Sequence, residues 1–178
     1  MSQPIQSCLL IAEDKPDDVW LLRRALHKAG ASARLEVARD GQEVIDYLID
    51  YLSAPSIGVF PSVLLLDLDL PRRNGFEVLR WIRTDPRLSQ LPVIVFSDSS
   101  SDCDIDSARV LGATEYCIKP TTADLFDEWV REFHGRWLSG TIAVPLAFPV
   151  AASAPSASGD YGAVRVSQLL PVNPRYAW

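Results

Sequence analysis

Residues 63–75 have the sequence VLLLDLDLPRRNG. The first four residues are apolar without alternation, which is typical of a short strand covered on both faces of a sheet. A polar turn containing Pro71 follows, and Gly75 begins a helical pattern that extends over residues 75–83. This stretch therefore predicts a buried strand, a loop that starts at Asp67, and a helix.

The same strand–helix unit recurs on both sides of this stretch. Strands are predicted at Cys8–Ala12, 35–38, Val63–Leu66, 92–96 and Glu115–Ile118, and helices at 16–29, 42–52, 75–83, 105–111 and 122–138. Repeats in this order predict parallel strands with helical crossovers. We therefore expect an α/β fold with a doubly wound five-stranded parallel sheet in the flavodoxin-like order 2-1-3-4-5. In such a sheet a ligand binds beyond the carboxyl ends of the first and third strands.

Length and composition indicate one folded domain with an extension. The chain has 178 residues, of which 48% are hydrophobic, and a formal net charge of -6. Residues 1–138 are predicted to form the domain, and residues 139–178 a Pro/Ala/Ser-rich extension that is partly unstructured. Because the chain is acidic, neither nucleic acid nor an anionic membrane is expected as a direct partner.

The remaining bulk features indicate a cytoplasmic protein. No apolar run is long enough to span a bilayer, and the segment MSQPIQSCLLIAED lacks the basic start and the cleavage site of a signal peptide. The chain has three cysteines and no CxxC pair, which argues against a disulfide framework or a zinc site.

Polar side chains follow the apolar strands where a site is expected. They are Glu13 and Asp14 after the first strand, Asp67 after the third, Ser97 after the fourth and Lys119 after the fifth. Two carboxylates about 4 Å apart repel by roughly 4 kcal/mol at an effective dielectric of about 20, and a hard cation such as Mg²⁺ relieves that repulsion. Asp67 could then accept a phosphoryl group as an acyl phosphate, with Lys119 pairing first with the carboxylate and later with the phosphate.

From about residue 8 to residue 138, the chain resembles the receiver domain family of two-component response regulators. The resemblance rests on residues in a fixed order, namely the pair Glu13-Asp14, then Asp67, Pro71 and Gly75 at the spacing D-x-x-x-P-x-x-x-G, then Ser97, and then Lys119-Pro120. Each of these pieces is weak alone, but all of them in order at the ends of the expected strands form a specific signal.

The resemblance implies a set of roles for the acidic residues. Asp67 would take a phosphoryl group from a sensor histidine kinase. An Mg²⁺ ion would be bound by Asp14, Asp67 and the backbone carbonyl of Asp69, and Glu13 would contact this ion through water. The protein would then be a phosphoacceptor that assists its own phosphorylation and dephosphorylation, and not an enzyme.

The resemblance also implies a switch. Ser97 and Tyr116 would be the switch residues that move toward the site when phosphate arrives. The Lys119–Pro120 bond would be cis.

Asp98 stands where a small uncharged residue is more usual, and Asp69 adds negative charge near the metal. These two carboxylates leave the lifetime of the phosphate open.

A narrower resemblance concerns single-domain response regulators paired with bacterial phytochromes. It rests on the segments AEDKPDD and LLLDLDLPRRNG and on the aromatic last helix, and it implies a light-regulated kinase and a homodimer. The last helix has more large apolar side chains than packing on a sheet requires, which predicts a dimer surface formed by Phe126, Trp129, Phe133 and Trp137. The alternative is that the C-terminal extension folds back over this helix.

Two other functions stay open at this point. A phosphatase of the haloacid dehalogenase type would use Asp67 as nucleophile and Asp69 as general acid, since LLLDLDLP contains D-x-D after an apolar strand. Against it, the acidic pair precedes the nucleophile, and the D-x-D strand is third in the chain instead of first. A pseudo-receiver that binds partners without taking phosphate is the other alternative, which Asp98 keeps open. Output is expected through protein contacts on the fourth helix, fifth strand and fifth helix.

Overall fold

The computed structural model describes residues 7–54 and 59–139. Strands and helices alternate along these residues. The strands are β1 (Cys8–Ala12), β2 (Arg34–Ala38), β3 (Val63–Leu66), β4 (Val93–Ser97) and β5 (Glu115–Ile118). The helices are α1 (Pro16–Lys28), α2 (Gly41–Ser53), α3 (Gly75–Thr84), α4 (Asp102–Val110) and α5 (Ala123–Trp137).

The strands form one parallel sheet in the order β2-β1-β3-β4-β5. This confirms the expected flavodoxin-like order. Ala12 pairs with Ala38 on one side and with Leu66 on the other, so β1, β2 and β3 end at the same level. Ser97 pairs with Ile118, which aligns the ends of β4 and β5. The residues that follow these strands are therefore brought to one edge of the sheet.

The central strands β1, β3 and β4 are buried on both faces, which explains why they are almost entirely apolar, whereas the edge strands β2 and β5 are partly exposed. Alternate residues of β1 and β3 point to opposite faces. Leu9 and Leu65 pack with α1 and α5, whereas Leu10 and Leu64 pack with α2 and α3. The site edge is thus supported by two hydrophobic layers.

Helix α5 is embedded more deeply than its sequence pattern predicted. Phe126, Trp129, Phe133 and Trp137 all belong to the core between α5, α1 and the sheet, and Trp137, the most exposed of them, is 8% exposed. Trp129 stacks on Phe96 of β4 with ring centroids 4.4 Å apart. The expected dimer surface is therefore corrected, because these four aromatic side chains fill the space between the sheet and two helices of their own chain.

Helix α4 and strand β4 differ from the predicted bounds at both ends for local reasons, and no boundary of the other strands and of α1, α2, α3 and α5 differs by more than one residue. Helix α4 begins at Asp102, three residues before the predicted start at residue 105, because its first turn is polar and gives no apolar signal. Strand β4 starts after Pro92, which has no N–H to donate to the ladder, and extends to Ser97. Ser97 is thus part of the strand and is buried.

Most of the predicted extension, residues 140–178, lies outside the described residues, as does the proposed folding back of its apolar side chains. Within the part of the chain that the structure describes, no helix has the length and apolar character needed to cross a membrane.

Candidate functional site

Backbone hydrogen bonds extend the sheet one residue beyond three of its strands. Glu13 N donates to Ala38 O at 3.0 Å, Asp67 N donates to Ala12 O at 3.1 Å, and Lys119 N donates to Ser97 O at 2.8 Å. The backbone positions of these three predicted site residues are therefore set by the sheet and not by flexible loops.

Lys119 is the centre of the site. Its Nζ lies 2.8 Å from Asp67 Oδ2, 2.6 Å from Glu13 Oε2 and 2.9 Å from Asp18 Oδ2. An ammonium group has three N–H donors, so these carboxylates use all of them. Lys119, Glu13 and Asp67 are all buried. The structure thus brings together the predicted acceptor, the predicted lysine and one of the predicted acidic pair.

The charges in this cluster shift the pKa values in a consistent way. Burial alone would lower the pKa of the Lys119 ammonium, but its hydrogen bonds to Asp67, Glu13 and Asp18 outweigh burial and hold the pKa above its ordinary value. Burial raises the pKa of the Glu13 carboxyl, and the opposing contact with Lys119 does not fully offset this effect. One buried cation surrounded by several carboxylates leaves the cluster with excess negative charge, which favours a further cation.

Asp18 is a site residue that the sequence reasoning missed. Like Asp17, it lies in the first turn of α1, where the helix dipole favours negative charge. In the structure it also reaches Lys119 from the first turn of α1. Its position in the first turn of the helix that directly follows the acidic pair was the available signal.

The acidic residues form a group that could hold a metal ion. Ligand oxygens of Glu13, Asp14 and Asp67 all lie within 4.8 Å of one another. Glu13 and Asp67 are buried and Asp14 is exposed, so the group opens to solvent on one side. The other carboxylate oxygen of Asp67, Oδ1, accepts hydrogen bonds from Leu68 N at 2.6 Å and Asp69 N at 3.3 Å. An all-oxygen donor set with excess negative charge fits a hard divalent cation.

Gly75 explains the fixed spacing between Asp67 and the start of α3. A Cβ atom at Gly75 would lie 2.3 Å from the backbone oxygen of Asp67 and 2.8 Å from Leu68 Cα. Gly75 N also donates to Leu68 O at 2.9 Å. The helix start therefore packs directly on the backbone of the predicted acceptor, and only a glycine leaves room for this contact.

The loop after β3 is braced by the loop after β2, a link that sequence reasoning did not find. Asp40 is buried, and its Oδ1 accepts hydrogen bonds from the backbone N–H groups of Gln42 and Glu43 at the start of α2. Its Oδ2 accepts from Arg72 Nη1 at 3.1 Å. Arg72 has a φ of 64°, a left-handed conformation that is unusual for a residue with a side chain. These contacts hold the pKa of the Asp40 carboxyl below its ordinary value against the opposing effect of burial.

The predicted switch residues meet in the loop after β4. Ser97 Oγ accepts a hydrogen bond from Ser99 N at 3.2 Å, and Tyr116 Oη donates to Ser99 O at 2.9 Å. Ser99 Oγ in turn donates to Asp104 Oδ2 at 2.5 Å, at the start of α4. Ser99 therefore links both predicted switch residues, although it gave no sequence signal within a run of serines.

An exposed ion pair connects the loop after β1 with the loop after β4. Lys15 Nζ is 2.9 Å from Asp98 Oδ2, and both side chains are more than half exposed, at 52% and 63%. Lys15 directly follows Asp14, and Asp98 directly follows Ser97. The unusual carboxylate at residue 98 thus has a partner on the opposite loop.

The expected cis bond before Pro120 is wrong. No cis peptide bond occurs among the residues that the structure describes, so the Lys119–Pro120 bond is trans. The trans form of an X–Pro bond is favoured by about 0.5–1 kcal/mol. Lys119 reaches its three carboxylates from this trans backbone, so the site geometry does not require the less favourable isomer.

Fold and site together define the class, and the chain belongs to the family of response regulator receiver domains of two-component signalling. The family profile described as "Response regulator receiver domain" matches residues 9–131. This match extends from β1 into α5 and includes every strand-end residue described above.

Two relatives have sequences similar to most of this chain. Probable methanogenesis regulatory protein FilR2 of Methanothrix harundinacea (strain 6Ac) is 35% identical over 130 residues, which cover 73% of this chain and 83% of that protein. Response regulator Rcp1 of Synechocystis sp. is 31% identical over 143 residues, which cover 78% of this chain and 93% of that protein.

Solved structures agree with these sequence matches. The phosphorylated cyanobacterial phytochrome response regulator RcpA superposes with a TM-score of 0.68 and 31% identity, covering 75% of this chain and 95% of that chain. The Mn²⁺-bound form of Rcp1 superposes with a TM-score of 0.68 and 27% identity, covering 76% of this chain and 97% of that chain. Phytochrome response regulators are therefore among the proteins to which this chain is similar.

Proposed function

We propose that this protein is a stand-alone response regulator whose Asp67 accepts a phosphoryl group from the phosphohistidine of a sensor histidine kinase. The observation that carries the proposal is the buried contact of 2.8 Å between Lys119 Nζ and Asp67 Oδ2, beside an acidic group that includes Asp67 itself. A buried carboxylate held by a cation and next to a place for a second cation is suited to react with an anionic phosphoryl donor.

The side chains of this chain supply the positioning for the transfer. An oxygen of Asp67 forms a bond to phosphorus as the bond between phosphorus and the donor histidine nitrogen breaks, which gives an acyl phosphate. Lys119 is bound to the carboxylate before transfer and can follow the phosphoryl oxygens afterwards, because its ammonium sits on a flexible stem. The hydroxyl of Ser97 would donate a hydrogen bond to a phosphoryl oxygen.

A divalent ion, which we propose is Mg²⁺, would be held by Asp14, Asp67 and the backbone carbonyl of Asp69, with Glu13 in contact through water. When bound, the ion supplies positive charge that lowers the repulsion between the donor and Asp67. The clustered oxygens of Glu13, Asp14 and Asp67 support this assignment, as does the Mn²⁺-bound form of the similar protein Rcp1.

The readout would involve Ser97 and Tyr116. If the Ser97 hydroxyl turns toward the phosphoryl group, it changes its contact with Ser99 N, and the backbone oxygen of Ser99 holds the Tyr116 hydroxyl. A local change at the site can therefore be passed to β5 and α4, which is a physical route for the proposed switch.

We also propose the partners and the place of action. Similarity to phytochrome response regulators supports a light-regulated histidine kinase as the phosphodonor and a cytoplasmic location. Neither nucleic acid nor membrane would be bound directly. Output would run through protein contacts on α4, β5 and α5, where Val110 and Leu125 are 86% and 42% exposed. A homodimer through the last helix would have to use this exposed side, since its large aromatics are buried.

The phosphatase alternative is less well supported by the site. It requires Asp69 to act as a general acid beside Asp67. Within the described residues, the acidic group that could hold a metal consists of Glu13, Asp14 and Asp67, and Asp69 is exposed. We therefore propose that the protein is a phosphoacceptor and not an enzyme, with the domain at residues 1–138 and the extension at residues 139–178.

The experiment that tests the proposal compares three forms of the protein with Mg²⁺ and acetyl phosphate. We expect the intact mass of the wild type and of Asp106→Asn to increase by one phosphoryl group, whereas that of Asp67→Asn stays unchanged. Asp106→Asn is the matched control, since the chemical change is identical at an exposed aspartate of α4 outside the proposed site. Equal labelling of all three forms would refute the acceptor, and sustained hydrolysis of phosphomonoesters would refute the assignment as a non-enzyme.

A further inference from the structure

We propose that the Lys15–Asp98 ion pair is a closure over the phosphorylation site that limits the access of water and small phosphodonors to Asp67. The inference rests on the proposed function, because it concerns the lifetime of the phosphate on Asp67. It assigns a role to two residues outside the acidic group and the Lys119 cluster.

The sheet order places this ion pair between the loops of the two strands that flank β3, and Asp67 follows β3. Lys15 lies in the loop after β1, and Asp98 lies in the loop after β4, 83 residues later. Strand β3 runs between β1 and β4 in the sheet, and Asp67 follows β3 directly. Neighbouring strands are about 4.8 Å apart, so the pair bridges about 10 Å across the end of β3. The contact of 2.9 Å between Lys15 Nζ and Asp98 Oδ2 therefore connects the loops on either side of the strand that ends before Asp67.

The Lys15–Asp98 pair is close enough to Lys119 for its charge to act on both residues, but the pair shares no hydrogen bond with Lys119. The hydrogen bond from Lys15 lowers the pKa of the Asp98 carboxyl, and the charge of Lys119 acts in the same direction. The hydrogen bond with Asp98 raises the pKa of Lys15, and the charge of Lys119 opposes this increase. Lys119 has no N–H left for Asp98, since Asp67, Glu13 and Asp18 use all three. Lys119 thus pairs with the buried carboxylates, and Lys15 pairs with the exposed Asp98.

The exposure of this pair makes it suited to open and close. Ion pairs between exposed side chains are weak and are screened by salt. Lys15 and Asp98 are 52% and 63% exposed. The closed arrangement is therefore favoured only modestly, and loss of the pair is expected to change access by about two- to fivefold. A kinase histidine would have to displace the pair in order to reach Asp67.

Hydrolysis of the acyl phosphate reports on access to the site. The oxygen of a water molecule forms a bond to phosphorus as the bond between phosphorus and the Asp67 oxygen breaks. The carboxylate is regenerated, inorganic phosphate leaves, and a proton passes to solvent. Because water is neutral, the rate of this reaction is less sensitive than phosphorylation to the attraction between Lys15 and an anionic donor.

The test is a double-mutant cycle on the decay of the phosphorylated protein at saturating Mg²⁺ after removal of acetyl phosphate. We expect Lys15→Ala and Asp98→Ala each to accelerate decay about two- to fivefold, and the double variant to decay no faster than the faster single variant. High salt should accelerate the wild type toward the rate of Asp98→Ala. Asp106→Ala is the matched control, since it removes another exposed pair, with Arg109 at 2.9 Å, and should decay like the wild type.

The outcomes separate the two proposals. If the wild type takes up phosphate on Asp67 but Lys15→Ala and Asp98→Ala decay at the wild-type rate, the closure is refuted and the acceptor stands. Multiplicative effects of the two substitutions, or equal acceleration by Asp106→Ala, would also refute the closure. If the wild type takes up no phosphate on Asp67, the proposed function fails and the closure fails with it.

Discussion

The loops after β3 and after β4 both border the site, but they are held in different ways. The loop after β3, residues 67–74, is packed against neighbouring backbone at Gly75 and braced by the buried Asp40. The loop after β4, residues 98–101, is held by serine hydroxyls, by one tyrosine hydroxyl and by one exposed ion pair. Backbone packing cannot be exchanged without distortion, whereas hydroxyl contacts can be replaced by new partners. The proposed acceptor, Asp67, therefore lies on the fixed side of the site, and the proposed switch lies on the adjustable side.

The largest expected effect is on the fixed side, at Gly75. Gly75→Ala would place a Cβ atom 2.3 Å from the backbone oxygen of Asp67. We expect the free energy of unfolding to fall by about 3 kcal/mol, because the crowded atoms are backbone and cannot rotate away. Urea denaturation followed by circular dichroism measures this change.

Gly135 is the matched control for that substitution. Among the described residues, and apart from the neighbouring backbone of α5, no atom lies within 4 Å of a Cβ built at Gly135. Gly135→Ala should therefore leave stability unchanged or increase it by up to about 1 kcal/mol through better helix propensity. Equal losses at Gly75 and Gly135 would show that close packing on the Asp67 backbone does not set the cost of the substitution at Gly75.

A smaller loss is expected from removing the brace at Asp40. Asp40→Ala removes the cap of α2 and the contact with Arg72, and should cost about 1–2 kcal/mol. Asp40→Asn keeps a capping side chain and should cost less. If both substitutions cost the same, the contact with Arg72 matters more than the cap.

The pH dependence of the Asp40 effect has a defined sign. The pKa of this carboxyl is lowered in the folded protein from an ordinary value of 3.8. The unfolded chain therefore binds a proton more readily, so the stability from the charged form is present above pH 3.8 and is lost as the pH falls below that value. The difference in stability between the wild type and Asp40→Asn should shrink over this acidic range in urea titrations. A difference that grows on acidification would contradict the assigned role.

The smallest expected effect on stability is on the adjustable side. Ser99→Ala removes the hydroxyl contacts with Asp104 and with Ser101 N. The side chain is partly exposed, so we expect a loss of at most about 1 kcal/mol in urea denaturation. A loss as large as that at Gly75 would overturn the contrast between the two loops.

The fold could be predicted from the sequence because most of the strands are short apolar runs that are followed by polar residues. Strands β1, β3 and β5 have the predicted bounds, and Glu13, Asp67 and Lys119 meet because they each follow a parallel strand. The periodicity of strands and helices thus predicted both the sheet and the three central site residues.

The remaining contacts depend on distances that periodicity does not encode. Asp18 reaches Lys119 from a helix, Asp40 meets Arg72 between two loops, and Ser99 joins the switch residues through its backbone. The sequence predicted more aromatic residues in α5, such as Trp129, than packing on the sheet requires. It does not show how wide a space these side chains fill between the sheet and α1. These features follow from packing in three dimensions.

The most direct test of the central claim is to map the phosphorylated residue. The protein would be phosphorylated with Mg²⁺ and acetyl phosphate, the acyl phosphate reduced with borohydride, and the peptides analysed by mass spectrometry. We predict that the reduced residue is Asp67, and that Lys119→Met, which removes the buried cation at 2.8 Å, lowers the extent of labelling. Labelling at another residue, or labelling of Asp67→Asn equal to that of the wild type, would contradict the account.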